Sequence, residues 1–347
     1  MKIKNKHGRM VEIATDATVK SVMEQRFGSD AAKTASSYHY KRYLAENGLT
    51  KKDVLRGLGF ENVGKMQVRA LLENDGTKPL FNAIVEDGLR MGFERQSNWA
   101  QLVAQSVNAE QLSQQWYYLD EDTVDVELQD IGQAAPIPTG SIKLGENSIR
   151  LHKRGRGIEW SDESRMANID MVALWLRKLG RQLGRQYENV AVNRLMNGYF
   201  PDGQDTPPTL GINEAGNLNL ADLFYGAAYM EQELGFAPNL AIMNLETAYR
   251  ITTLRDGDAY LYRDEMENGR FADVVNSAPF ISSLVPDNRI ILVDTNFALI
   301  RYEAKPFGVE SERSVKTQVE GSYGTEISEF VPFEKNTRLV LTLDQAR

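Results

Sequence analysis

The three histidines of this 347-residue chain, His7, His39 and His152, lie far apart in sequence and offer no clustered imidazole set for a metal or a proton relay. The absence of cysteine removes disulfides, thiolate nucleophiles and Cys-based zinc or iron–sulfur sites. Carboxylates are plentiful, as in Asp120-Glu121-Asp122 and Asp264-Glu265, but a glycosidase pair is defined by carboxyl separation in space, and runs of neighbouring acids usually coat a surface. No Walker A loop, Gly-x-Gly-x-x-Gly, Gly-x-Ser-x-Gly or His-Glu-x-x-His occurs. The expectation is a protein with no enzymatic role, no cofactor and no bound metal. One stretch keeps some chemical character: Arg150-Leu-His-Lys-Arg-Gly-Arg-Gly-Ile-Glu-Trp160. Its Gly155-Arg156-Gly157 turn either presents backbone N–H groups and a guanidinium to phosphate, or is a flexible corner between two elements.

That arm runs into a long amphipathic helix. Ser161 can cap it, Asp162 and Glu163 suit the positive end of its dipole, and Asn197-Gly198 stops it. Apolar residues recur at Met166, Ile169, Val172, Leu176, Leu179, Leu183, Tyr187, Val190 and Leu195, one stripe of a 3.6-residue period. From Asp162 to Met196 such a rod would extend roughly 50 Å, enough to cross a domain. The other face carries Arg165, Arg177, Lys178, Arg181, Arg185 and Arg194, which excludes a membrane span and a strict heptad coiled coil.

Hydrophobic residues make up 42% of the chain, enough to bury the cores of two or three domains. Met1-Lys-Ile-Lys-Asn-Lys6 has no apolar h-region behind it and no 18-residue apolar run occurs, so a cytoplasmic, non-membrane protein is expected. The net charge of −8 is unevenly spread. Residues 1–75 hold 14 basic and 9 acidic side chains, a net of +5, and leave −13 for the rest. That basic first segment is either a solvated domain or one that touches a polyanion. It reads as short helices: one through Val19, Val22, Met23 and Phe27, one from Asp30 to Glu46, and one capped by Thr50 with Asp53. The turn at Asn47-Gly48 is compatible with a helix-turn-helix, although helix, glycine turn, helix is common in any small helical domain. A mostly helical stretch continues through Phe81, Ile84, Leu89, Trp99, Leu102 and Val103 to about Leu112.

Residues 120–160 change period. Val124, Val126 and Leu128 alternate with Asp125, Glu127 and Gln129, and a Gly/Pro-rich tip spans 132–140. The returning arm alternates at Ile142, Leu144, Ile149 and Leu151, with Lys143, Arg150, Lys153, Arg154 and Arg156 as its polar set. An acidic arm thus faces a basic one, in a ribbon too thin to be stable alone and expected to lie on another subunit. Beyond the loop Pro201–Pro208 come a helix from Leu220 to Leu234, a buried strand Asn239–Met243 and a helix capped by Asn244. Strands then dominate: Arg289–Asp294, Phe297–Glu303, Val309–Val319, Glu326–Phe333 and Arg338–Leu343. Helices and strands are segregated, so the fold class is α+β.

This order of elements resembles the major capsid proteins of tailed double-stranded DNA bacteriophages, whose fold is shared with encapsulins and herpesvirus shells. The likeness covers about 80–347 and rests on Leu151–Glu163, on Ala237–Asn244, and on Ile290–Asp294 with Ala304–Glu310. It implies an extended-loop hairpin, a spine helix in a peripheral domain and an axial α/β domain. The corresponding division is 1–76, a basic helical N-terminal segment; 77–118, an arm with helices; 119–160, the hairpin; 161–200, the spine; 201–296, the axial domain; 297–347, strands returning to the peripheral domain. The implied function is a subunit that assembles as hexamers and pentamers into an icosahedral capsid around double-stranded DNA, in a virion assembled in the host cytoplasm. Its expected partners are further copies of itself, packaged DNA held without sequence specificity, and scaffolding, decoration and portal proteins. Expected intersubunit contacts are Lys143, Arg150, Lys153, Arg154, Arg156, Asp125 and Glu127; expected genome-facing residues are Lys2, Lys4, Lys6 and Arg9. The competing readings are an encapsulin-type shell around protein cargo and a DNA-binding regulator that uses residues 30–60.

Overall fold

The computed structural model describes residues 2–5, 8–12, 36–58, 77–94, 98–120, 141–161, 169–256, 258–314 and 319–347. A small hairpin, β1 (Lys2–Lys4) with β2 (Met10–Glu12), precedes helices α1 (Ser36–Glu46), α2 (Lys51–Gly57) and α3 (Lys78–Glu94). Strands β3 (Gln105–Asn108), β4 (Ser113–Asp120), β5 (Ser141–Arg150) and β6 (His152–Ser161) lead to the long helix α4 (Ile169–Asn197). Then come β7 (Thr209–Ile212), α5 (Leu220–Gln232), β8 (Leu240–Met243), α6 (Leu245–Thr252), a short pair β9 (Arg255–Asp256) and β10 (Ala259–Tyr260), and α7 (Arg263–Glu267). The chain closes with β11 (Ala278–Ile281), β12 (Arg289–Val293), β13 (Leu299–Ser314), β14 (Val319–Pro332) and β15 (Arg338–Ala346). These elements fall into two compact units.

The first unit comprises Met1–Asn98, His152–Tyr187 and Ala304–Ser328. Its core joins Tyr40, Leu44, Val54 and Leu55 of the first helices to Leu80, Phe81 and Leu89 of α3, Val172 and Leu176 of α4, and Val309. Local rules explain the helix ends. Gly48 takes φ +62° after α1, and Thr50 and Asp53 cap α2 reciprocally. Two glycines one turn apart let α3 lie close to α4: a Cβ at Gly92 would sit 2.1 Å from the Arg177 carbonyl oxygen, and one at Gly88 would sit 3.1 Å from the Leu176 Cβ. Charge ties the first helices to α3. The buried Glu86 carboxylate meets Lys41 Nζ at 2.5 Å, Lys41 also meets Asp87 at 2.7 Å, and Lys51 pairs with Asp87 while donating to the Ala83 carbonyl at 3.1 Å.

The second unit comprises Trp99–Leu151, Glu188–Glu303 and Glu329–Arg347. Its sheet runs β11-β8-β12-β15-β7, parallel at both edges and antiparallel in the middle. Leu240-Ala-Ile-Met243 is buried throughout and Ile290-Ile-Leu-Val293 likewise, so these strands show no alternation because both faces are covered. Asn219 and Asp222 cap α5, Asn244 caps α6 through the Thr247 N–H at 2.8 Å, and Gly226 brings α5 against Leu341. Arg338 is fully buried and donates to the carbonyls of Arg194 (2.8 Å) and Leu195 (3.2 Å) in the last turn of α4, and to that of Asp205. A guanidinium suits that negative helix end. Burial draws its pKa down to about 10, against the opposing pull of Asp205 and Glu334.

Two expectations change, and a third lies partly outside the described residues. Ser161 closes strand β6, and the described part of the long helix begins at Ile169, giving 29 residues and about 44 Å; its expected start at 162 lies outside the described residues. The helical stretch expected to reach Leu112 ends within α3, because Trp99–Leu102 forms a 3-10 turn and Gln105–Asn108 pairs in parallel with Ile300–Glu303. The returning arm of the hairpin stops at Arg150, and His152–Ser161 is a separate strand paired with β14. Strand β15 joins the five-stranded sheet beside β12, where its apolar residues Leu339–Leu341 are buried.

Candidate intersubunit surface

Strands β4 and β5 form an antiparallel ribbon that takes no other strand among the described residues, from the Ser113↔Arg150 pair to Asp120↔Ser141. The register shifts between Gln115 and Tyr117, an irregularity of the kind that bends a ribbon. Its base is fixed. The Arg150 N–H donates to Tyr199 Oη at 2.9 Å, Tyr199 Oη donates to the Arg150 carbonyl at 3.2 Å, and the Arg194 guanidinium lies 4.6 Å over the Tyr199 ring. Ile149 and Leu151 are buried beside that anchor. The acidic arm through Asp125 and Glu127, and the tip, lie outside the described residues.

The basic residues separate into two groups. Lys143 lies on the ribbon opposite Tyr118, and Arg150 stands exposed at its base. Lys153, Arg154 and Arg156 lie on β6, opposite Ile327, Glu326 and Gly324 of the same chain. Lys153 and Arg156 are exposed, whereas Arg154 is half-buried and donates to the Ser328 carbonyl at 2.6 Å. Glu326 is buried, and desolvation lifts its carboxyl to about 7 although Ser328 Oγ donates to it at 2.5 Å and Arg154 attracts it. Gly155 and Gly157, expected in a turn, are strand residues. A Cβ on Gly155 would press on the Gly324 carbonyl at 2.8 Å, and one on Gly157 would enter the Tyr323 ring at 2.3 Å. The Tyr323 hydroxyl closes the arrangement by donating to Glu159 at 3.0 Å. At the amino end, Lys2 and Lys4 belong to β1, Arg9 is exposed before β2, and Lys6 lies outside the described residues.

Sequence reasoning missed a second exposed surface. On α5, Leu220 and Phe224 stand one turn apart, and on α6 Leu245 and Tyr249 repeat that spacing; Phe224 and Leu245 are each 63% exposed. Both helices were legible from their buried stripes, and the outward apolar pairs share the same i, i+4 period. Among the described residues no cluster of His, Asp or Glu could hold a metal ion, and no helix is long and apolar enough to cross a membrane.

The model of a phage capsid protein family matches residues 145–328, more than half of the chain. The chain belongs to the phage capsid protein family. Solved capsid structures share the fold. The capsid of a native GTA particle aligns with a TM-score of 0.55 at 16% identity, over 74% of this chain and 91% of that one. A chain from Gordonia phage Cozz gives 0.53 at 20% identity, over 72% and 87%. A virus-like particle from Pyrococcus furiosus gives 0.53 at 9% identity, over 75% and 99%. No curated protein sequence matches the chain. This capsid protein is a structural subunit of the virion shell, which its copies build by self-assembly.

Proposed function

We propose that this capsid protein assembles as hexamers and pentamers into an icosahedral shell that encloses double-stranded DNA. The observation that carries the reading is the β4–β5 ribbon, a strand pair anchored at Arg150 and Tyr199 that, among the described residues, belongs to neither larger sheet. A two-stranded ribbon gains little stability in water and needs a surface to cover. A neighbouring subunit supplies that surface, and head-to-tail contacts of this kind close into rings. The outward pairs Leu220/Phe224 and Leu245/Tyr249 supply apolar area for contact around such a ring. Lys143 and the exposed charges Arg150, Lys153 and Arg156, with Asp125 and Glu127 of the acidic arm, are the proposed intersubunit contacts, and Lys2, Lys4, Lys6 and Arg9 the proposed genome-facing ones. Assembly in the host cytoplasm, with scaffolding, decoration and portal proteins as further partners, belongs to the same reading.

The test removes Asp130–Lys143 and inspects the purified protein by electron microscopy. A soluble, folded subunit that forms no closed particle is expected; normal particles from that deletion would remove the ribbon's role. Particle contents separate this reading from an encapsulin-type shell: DNA protected from nuclease until the particle is opened is expected, and shells holding a protein cargo and no DNA would favour the alternative. The regulator reading is weaker because Tyr40, Leu44, Leu49, Val54 and Leu55, all within residues 30–60, are built into the core of the first unit.

A further inference from the structure

The outward face of α4 between Met171 and Arg185 is divided along its length. Its first part presents Met171, Leu174 and Trp175, which are 48%, 58% and 49% exposed. Its second part presents the exposed cations Arg177, Lys178, Arg181 and Arg185. These seven residues project to one side of the helix, opposite the buried stripe of Val172, Leu176 and Tyr187. Met91 of α3, 54% exposed, lines a cavity of about 830 Å³ together with Leu174, Trp175 and the four cations. Gly92 forms its wall at the point where the α3 backbone meets the Arg177 carbonyl.

Two features point to an occupant. No carboxylate lies on α4 between Asp170 and Glu188, and none of the four cations has an ion pair with a described residue, whereas Lys41 and Lys51 elsewhere in this unit are neutralised by Glu86 and Asp87. Large apolar side chains also gather in one concave place instead of scattering singly, the usual mark of a contact site. We propose that this groove docks an acidic amphipathic polypeptide segment, with apolar anchors covering Met91, Leu174 and Trp175 and carboxylates meeting Arg177, Arg181 and Arg185. Helix-in-groove recognition has these requirements. Duplex DNA satisfies only half of them, because a phosphate backbone complements the arginines and leaves the Trp175 end uncovered. The groove lies within one subunit, so its docking role is independent of whether closed shells form.

The experiment uses the full-length protein, held dilute, and a fluorescein-labelled synthetic helix of about 20 residues with Leu at i, i+3, i+4 and i+7 and Glu elsewhere. Fluorescence anisotropy should show binding, with a scrambled peptide of the same composition about tenfold weaker. Trp175→Ala and the pair Arg181→Glu with Arg185→Glu should each weaken it about tenfold, while Trp175→Phe keeps most of the affinity. All altered side chains are exposed, and circular dichroism confirms that the variants are folded. Equal binding by wild type and all variants would overturn the proposal. So would tighter binding of a duplex of about 20 base pairs that Trp175→Ala leaves unchanged, since that marks a nucleic-acid face. A protein that forms shells yet ignores the peptide fails this inference alone.

Discussion

Glu86 in the first unit is buried against Lys41 and Arg90, whereas Arg338 in the second is buried against backbone carbonyls of Arg194, Leu195 and Asp205. The first arrangement binds separate helices through ion pairs between side chains. The second plugs the end of a helix with a cation that stays protonated at any physiological pH. Lys51 and Glu326, shifted to about 8 and about 7, both belong to the first unit. Stability that depends on pH should therefore concentrate in the helical unit, and stability that depends on packing around one fixed charge in the sheet unit.

The largest effect should come from Arg338→Met, which leaves the Leu195 and Asp205 carbonyls without their donor and costs about 3–5 kcal/mol. Chemical denaturation checks the size. Hydrogen exchange should show lost protection in β12 and β15 before α1–α3; uniform loss would erase the distinction between the units. Gly92→Ala should come next at about 3 kcal/mol, because the new Cβ meets backbone, not a movable side chain. Its exchange defect should lie in α3 and the first half of α4.

Smaller effects carry the pH signature. Glu326 has a folded pKa raised from 4.5 to about 7, so the folded state binds the extra proton between those values and stability falls as pH rises through them. Glu326→Gln should abolish that fall and make the variant the more stable protein at pH 8 in parallel melts; an unchanged pH profile would contradict the assignment. Lys51 runs the other way. Burial first, and then Lys41, lowers its folded pKa from 10.5 to about 8, so the unfolded chain binds more protons between those values and stability rises with pH. Lys51→Met should flatten that rise. Lys51 is more exposed than Glu326, and the amplitude should be the smaller of the two.

Local chemistry made much of this readable in advance. The caps at Thr50 and Asn244, the stop at Asn197-Gly198 and the buried stripe of α4 arise from residue type and spacing, and the structure places them as expected. Partners distant in sequence were not readable. Gly155 and Gly157 resemble a turn until Tyr323 and Gly324, more than 160 residues later, supply the neighbours that require glycine. Arg154 resembled a free cation for the same reason, because its acceptor is the carbonyl of Ser328. The apolar end of the α4 groove was hidden differently: Leu174 and Trp175 flank the buried stripe, and periodicity alone does not reveal which side of a boundary faces solvent.

The proposed role of the β4–β5 ribbon is to join copies of this subunit into a closed shell. Electron microscopy of the purified full-length protein decides whether this chain forms one. Closed, round particles of uniform size, lost on removal of Asp130–Lys143, are the predicted result; a protein that stays monomeric at every concentration and ionic condition would contradict it.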